Sequence, residues 1–473
     1  MTMSNRFAAL VAAGLMLAAC SQAPGKIAPP DLSSGADAAP AMPSSSASRG
    51  APIGEMIAAS GANGSPSGEP TGPLTLQMAL AQALLTNPDL GQFSYDIRSA
   101  EARTLQAGYR PNPEISVLSE DFGGSRNYAG FQGSQTTLSL SQLVELGGKR
   151  AARLRVARLD ESLAAWNYEG QRLDVLTATT RAFVDVVVAQ RKVDLAETTL
   201  RIDRQFQGGV SERVRAGNVS SLEERRAQVT SANGQIGLQQ ARHELEAARI
   251  RLAALWGSKA PQFARASGDP GEDILPPPPL PALLALAVRN PDVARWESEI
   301  AQREARVAVE RSKNVPDVTI QAGPRYYGEG ASAFVAGVGI TLPAFGMNLG
   351  NQLDAQAQLA KSRLQKQSAE VRTAADIRRT YERLAAAYQA IKVLQQSGIP
   401  AAQAAYDGMS TGYRQGKFGL IDVLDAQRAL LDARMRLLDA QATYHAALAD
   451  VERLTGETLR TSAAGAKRPG APS

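Results

Sequence analysis

The sequence predicts a mainly α-helical protein that also carries membrane β-strands, folded from one unit used twice. Heptad spacing over long proline-poor stretches gives the helices, and segments of about ten residues that alternate apolar with small or polar residues give the strands. Short motifs that recur about 200 positions apart give the duplication.

The first element is an export signal. MTMSNRFAALVAAGLMLAAC has Arg6 as its basic side chain, an apolar run from Phe7 to Ala19 and small residues before Cys20, so residues 1–19 read as a secretory signal peptide. Leu17-Ala18-Ala19-Cys20 also resembles a bacterial lipobox, which makes Cys20 the lipidated first residue of the mature chain. Ser21 follows it where an inner-membrane lipoprotein carries Asp, which points to the outer membrane. Cys20 is the one cysteine in 473 residues, so no disulfide can form within the chain. Residues 20–73, rich in Pro, Ser, Ala and Gly, cannot bury enough apolar surface to offset their ordering entropy and read as a flexible tether.

Charge says little about partners. The chain has 51 basic and 46 acidic residues, a net +5, which implies no nucleic acid. After the signal, no apolar run reaches the roughly 18 residues of a transmembrane helix. A membrane crossing would have to use strands.

The repeat organises the rest. NPDL at Asn87 recurs as NPDV at Asn290, and Glu101-Ala102-Arg103 recurs as Glu304-Ala305-Arg306, both 203 positions later. PEISV at Pro113 returns as PDVTI at Pro316, RAGNVSSLEERRAQ at Arg215 returns as RQGKFGLIDVLDAQ at Arg414, and Trp256-Gly257 returns as Thr455-Gly456. Residues 74–257 and 281–456 are therefore two copies of one unit, joined by a linker at 258–280 and followed by a tail at 457–473. Each copy reads as a helix, two strands and two very long helices. Val423, Leu430, Leu437, Tyr444 and Val451 recur every seven residues, as do Ile377, Leu384 and Ile391, and Leu238, Leu245 and Leu252. Helices over 151–206 and 351–409, broken only by Pro400, would be on the order of 80 to 90 Å long. A soluble coiled-coil rod would explain the helices alone.

The strands argue against a rod. Phe334, Ala336, Val338, Ile340 and Leu342 alternate with Ala333, Val335, Gly337, Gly339 and Thr341. Val318, Ile320 and Ala322 alternate with Asp317, Thr319 and Gln321, and Leu138 and Leu140 alternate with Thr137, Ser139 and Ser141. Such dyads mark membrane-barrel strands. A closed barrel needs at least about eight strands and this chain supplies four, so the barrel has to be shared between copies.

TTLSLSQLVELGGKR, Thr136 to Arg150, together with the lipobox and the duplicated unit, resembles the TolC-like outer-membrane efflux ducts, and among them the CzcC-type branch that serves heavy-metal exporters of the resistance-nodulation-division class. Leu143 stands where that branch has proline; Pro343 is kept in the second copy, which departs from the branch pattern at Ala344, Gly346 and Met347. The resemblance implies a homotrimer with a twelve-stranded barrel in the outer-membrane lipid and a twelve-helix periplasmic tunnel. It further implies a periplasmic adaptor protein and an inner-membrane pump as partners.

GKFGLIDVLDAQ, Gly416 to Gln427, sets Asp422 and Asp425 on one helical face beside Leu420, Ile421, Val423 and Leu424. Catalysis, a metal site, a solvated stripe at a helix start and the lining of something hollow are the available readings. The resemblance places Tyr413, Gly416, Asp422 and Asp425 at the periplasmic tip, where three chains would stack the acids as rings in a cation-selective constriction, with Glu223 as the first-copy counterpart of Asp422. The family's gate arginine is replaced by Phe418, leaving Arg414 and Lys417 as nearby substitutes.

Enzymatic readings find no support. His243 and His445 stand alone on long helices without a partner at i+3 or i+4, LGGK at Leu146 lacks the rest of a phosphate loop, and no nucleophile or dinucleotide motif occurs, so no cofactor, resident metal or catalytic residue is expected. A passive export duct for metal cations leads, with a duct for drugs or organic solutes next. A structural coiled-coil envelope lipoprotein is a third reading, and it has no use for the strands.

Overall fold

The structure is a computed structural model that describes residues 71–342 and 348–457. Cys20, the signal peptide and most of the tether lie outside the described residues, as do Pro343 to Met347 and most of the tail.

The first copy starts with β1 (Pro73–Leu74), α1 (Leu76–Thr86) and α2 (Pro88–Gly108). Then come β2 (Glu114–Glu120), β3 (Gln135–Val144), α3 (Lys149–Arg215) and α4 (Ser221–Ala254). β4 (Arg265–Ala266) leads into the second copy, which is α5 (Leu280–Leu286), α6 (Pro291–Ser312), β5 (Val318–Tyr327) and β6 (Ser332–Ile340). It ends with α7 (Leu349–Val393), α8 (Ile399–Arg414) and α9 (Leu420–Thr455). The repeat is visible element by element, with two short helices and a small sheet beyond the expected set.

The NPD motifs do the same work twice. Asn87 Oδ1 accepts from Leu90 N at 2.8 Å, and its amide donates to Leu255 O at 2.7 Å. Asn290 Oδ1 accepts from Asp292 N at 2.8 Å, and its amide donates to Arg453 O at 2.8 Å. Each asparagine thus caps one helix and binds the last carbonyls of another, so α4 abuts α2 and α9 abuts α6 end to end. Proline at the first helical position completes both starts.

β2, β3, β5 and β6 pair antiparallel in that order. The register puts Ile115, Leu140, Ala322 and Ala336 in one row, and Ile320 beside Val338 in the next. That face is apolar and open, with Ile115 72% and Phe334 73% exposed. The opposite face carries Ser116, Ser139, Gln321 and Arg325, whose guanidinium donates to Thr137 Oγ1 at 2.9 Å and Gln135 Oε1 at 3.1 Å. Both outer strands, β2 and β6, keep one unpaired edge in the single chain.

α3 runs 67 residues, roughly 100 Å at 1.5 Å per residue. Its counterpart is interrupted: a π-helical turn at Leu394–Gly398 separates α7 from α8 immediately before Pro400. Proline lacks the N–H that would continue the ladder, and the wider turn absorbs that loss without ending the helix. The heptad residues are the seams: Ile377, Leu384, Ile391, Tyr444 and Val451 form one buried cluster, and Leu252 joins another with Phe183, Val186 and Trp256. The segment expected as a linker is packed, since Phe263 is fully buried, β4 pairs with β1, and Gln190 both donates to Ala266 O and accepts from Ala266 N at 2.9 Å.

Candidate functional site

The tip is two matching helical hairpins. At the end of α8, Gly416 N donates to Tyr413 O at 3.0 Å and Lys417 N to Gly412 O at 2.8 Å. At the end of α3, Gly217 N donates to Val214 O and Asn218 N to Arg213 O, both at 2.9 Å. Both are Schellman closures, which require the left-handed backbone that Gly416 (φ 75°) and Gly217 (φ 73°) adopt. Gly416 is therefore a turn-former at the tip.

Tyr413 joins the two hairpins. Its ring is 6% exposed and packs with Val210, Ala227, Leu420, Val423 and Leu424. Its hydroxyl donates to Glu223 Oε2 at 2.9 Å, Arg213 stacks on its ring face at 4.6 Å, and Phe206 sits 5.5 Å away. Burial, then the Glu223 carboxylate, pushes the Tyr413 hydroxyl up to about 12, so it remains a proton donor at neutral pH. The structure thus brings Tyr413 and Glu223 together across the copies.

Asp422 and Asp425 lie on the opposite side of the first turns of α9, exposed, while Val423 and Leu424 point inward to Tyr413. Asp422 Oδ2 accepts from Gly419 N at 2.8 Å, holding the start of α9, where the helix dipole favours an acid. Asp425 approaches Arg428 at 3.7 Å. Arg414 donates to Thr411 Oγ1 at 3.4 Å, a contact within its own helix rather than a replacement for the family's arginine lock. Phe418 folds back onto Gly412, where even a Cβ would lie 2.2 Å from its ring.

VELGGKR lies at the junction of the sheet and the long helix α3. Lys149 Nζ lies 2.7 Å from Asp317 Oδ1, which also accepts from Leu146 N at 3.1 Å, and Glu145 forms a two-point pair with Arg153. The Arg153 hydrogen bonds hold the Glu145 carboxyl below its usual range. Asp317 is also held low, because Lys149 and the Leu146 amide outweigh its burial. Gly147 (φ 68°) faces Val315, and a Cβ there would sit 2.6 Å from the valine Cβ. Gly148 and Asn348 start α3 and α7 in the same left-handed conformation, φ 71° and 54°. Glu145 finds its partner eight residues on in the same copy, whereas the partner of Lys149 belongs to the other copy.

Among the described residues, no group of three or more His, Cys, Asp and Glu could hold a metal ion. His445 is buried against Pro270 O at 3.0 Å, and His243 is exposed.

The comparisons agree with this geometry. Residues 79–258 and 283–457 match the family described as outer membrane efflux protein. The chain is 35% identical over 82% of its length to the cobalt-zinc-cadmium resistance protein CzcC of Cupriavidus metallidurans, covering 91% of that protein. It is 28% identical over 78% of its length to the pyoverdine export outer membrane protein OpmQ of Pseudomonas aeruginosa, covering 83% of it. A solved structure of CusC superposes with a TM-score of 0.70 at 16% identity, over 81% of this chain and 92% of that one. With both copies matched and the channel fold shared, the chain belongs to the outer membrane efflux protein family.

Proposed function

We propose that three copies of this chain close a twelve-stranded outer-membrane barrel above a twelve-helix periplasmic tunnel, forming the passive duct of a tripartite efflux system that exports heavy-metal cations. The observation that carries the assembly is the four-stranded sheet, apolar on one face, polar on the other and open at β2 and β6. Unpaired backbone edges are untenable in lipid, and pairing β6 of one copy with β2 of the next satisfies them. The apolar face then meets lipid, and Arg325 faces the lumen. Energy and cargo selection come from a periplasmic adaptor and an inner-membrane resistance-nodulation-division pump. Lipidation at Cys20 adds an anchor.

In this reading Tyr413, Gly416 and Glu223 hold the tip closed, and Asp422 and Asp425 from three chains line its constriction. A metal cargo is supported by the likeness to a cobalt-zinc-cadmium resistance protein. A second reading, an organic cargo, is favoured by the likeness to a pyoverdine exporter. The test is conductance of the purified trimer in planar bilayers. Wild-type channels should be cation-preferring and blocked by multivalent metal ions, and replacing Asp422 and Asp425 with Ala should remove most of that block with the trimer intact. Unchanged block in a verified trimer would place the acids outside the pore. Sensitivity of a deletion strain to metal salts or to organic solutes separates the cargo readings.

A further inference from the structure

We propose that the groove between α3, α4 and α9 is a binding site for a lipophilic organic cation, with Asp203 as its counter-ion. It needs only one chain, because its lining comes from three helices of that chain.

The cavity measures about 390 Å³, within the range that holds a small organic ligand. Its walls are mainly apolar, with Leu195 and Ala196 from α3 and Leu424, Leu431 and Met435 from α9. At its lining lies Asp203, 5% exposed. A buried carboxylate ordinarily takes a cation as partner, because an unpaired charge in an apolar setting is costly. Here its partner is neutral: Gln427 Nε2 donates to Asp203 Oδ1 at 2.6 Å. Burial pushes the Asp203 carboxyl up, and only the Gln427 hydrogen bond offsets it. The other acid on the lining is Glu244, from α4. The two cations on the lining have other partners, Lys192 with Asp439 at 2.8 Å and Arg428 with Asp425 at 3.7 Å. The groove therefore presents apolar surface and a buried carboxylate that no cation on its lining pairs with, complementary to a hydrophobic body that bears one positive charge.

The backbone of α4 supplies the space. A Cβ at Gly234 would lie 2.6 Å from Asp203 Oδ2, so only glycine lets the carboxylate sit there. Gly237, also on the lining, has open space where its Cβ would stand. Gly237→Leu therefore fills the groove without disturbing the packing around Asp203.

The experiment measures binding of tetraphenylphosphonium to full-length protein in lipid nanodiscs, with protein-free nanodiscs subtracted. Tetraphenylborate, of the same shape and opposite charge, is the control. Wild type should take up the cation saturably at one site per chain and exclude the anion from it. Asp203→Asn should bind at least tenfold more weakly, about 1.4 kcal/mol, and Gly237→Leu should lose the site. No saturable uptake by wild type, equal uptake of the anion, or wild-type affinity in Gly237→Leu would each overturn the assignment. Wild-type affinity in a folded Asp203→Asn protein would do so too, and if that variant misfolds, the anion control and Gly237→Leu still decide.

Discussion

Tyr413→Phe isolates the bond that ties the two hairpins of the tip. It keeps the ring against Phe206 and beneath Arg213, and removes only the 2.9 Å hydrogen bond to Glu223. A hydrogen bond to a charged group is worth about 1.5 to 3 kcal/mol, whereas the retained cation–π contact is worth about 0.5 to 1. The loss therefore shifts the balance toward a separated tip by about tenfold to a hundredfold per chain. Glu223→Gln keeps an acceptor but loses its charge, so its effect should be smaller, and the double variant should fall short of the sum because both changes act on one bond. The sign of any pH effect follows from the Tyr413 hydroxyl, raised to about 12. A raised acid contributes fully below its ordinary value near 10 and is lost as pH rises through the folded one, so opening should not vary between about pH 6 and 8. Single-channel recording in planar bilayers reads opening probability directly. Wild-type opening probability in Tyr413→Phe, with the trimer verified by mass, would refute the lock.

Four other outcomes are expected. Gly147→Ala should destabilise by more than about 2 kcal/mol in thermal unfolding, through left-handed strain plus the Val315 clash; Gly148→Ala should cost about 1 to 2, and Gly148→Asn less, as Asn348 shows in the second copy. Asn87→Ala and Asn290→Ala should each cost about 1 to 2 kcal/mol, measurable by the same melt, because each removes a cap and an end-to-end clamp together. Asp317 is held low in the fold, so its contribution is present above the ordinary carboxylate range and lost as pH falls through its folded value; Asp317→Asn should flatten the acid limb of the stability curve, and an unchanged limb would remove Asp317 from the acid response. Cys20→Ala should abolish labelling by a fatty-acid analogue, and continued labelling would refute the lipobox.

Periodicity made most of the fold legible. A heptad is a statement about which side of a helix is dry, and Ile377, Leu384, Ile391, Tyr444 and Val451 were dry for that reason. The dyads in β3, β5 and β6 survived as faces because strand pairing preserves parity, whereas β2, only seven residues long, showed its alternation clearly once its partner was known. The π-turn before Pro400 and the packing of 258–280 were not legible, since both depend on what neighbouring helices tolerate.

At the tip, the motif located the residues but not their contacts. Asp422 and Asp425 drew the eye as adjacent acids, yet within one chain Asp422 holds its own helix start and Asp425 faces Arg428, three residues on. Any shared constriction would belong to the proposed trimer, which one sequence copy encodes only through symmetry. Gln427, closing the same stretch, reads as an unremarkable helix amide until the fold sets it against Asp203, more than 200 residues away. The same holds for Tyr413 with Glu223 and for Lys149 with Asp317: each of these polar ties pairs residues that occupy different places in the two repeats. Duplication repeats local patterns, and the contacts between copies are where the two sequences were free to diverge. Matched motifs therefore show the caps and turns, and they name Tyr413 and Glu223 without showing that the two pair.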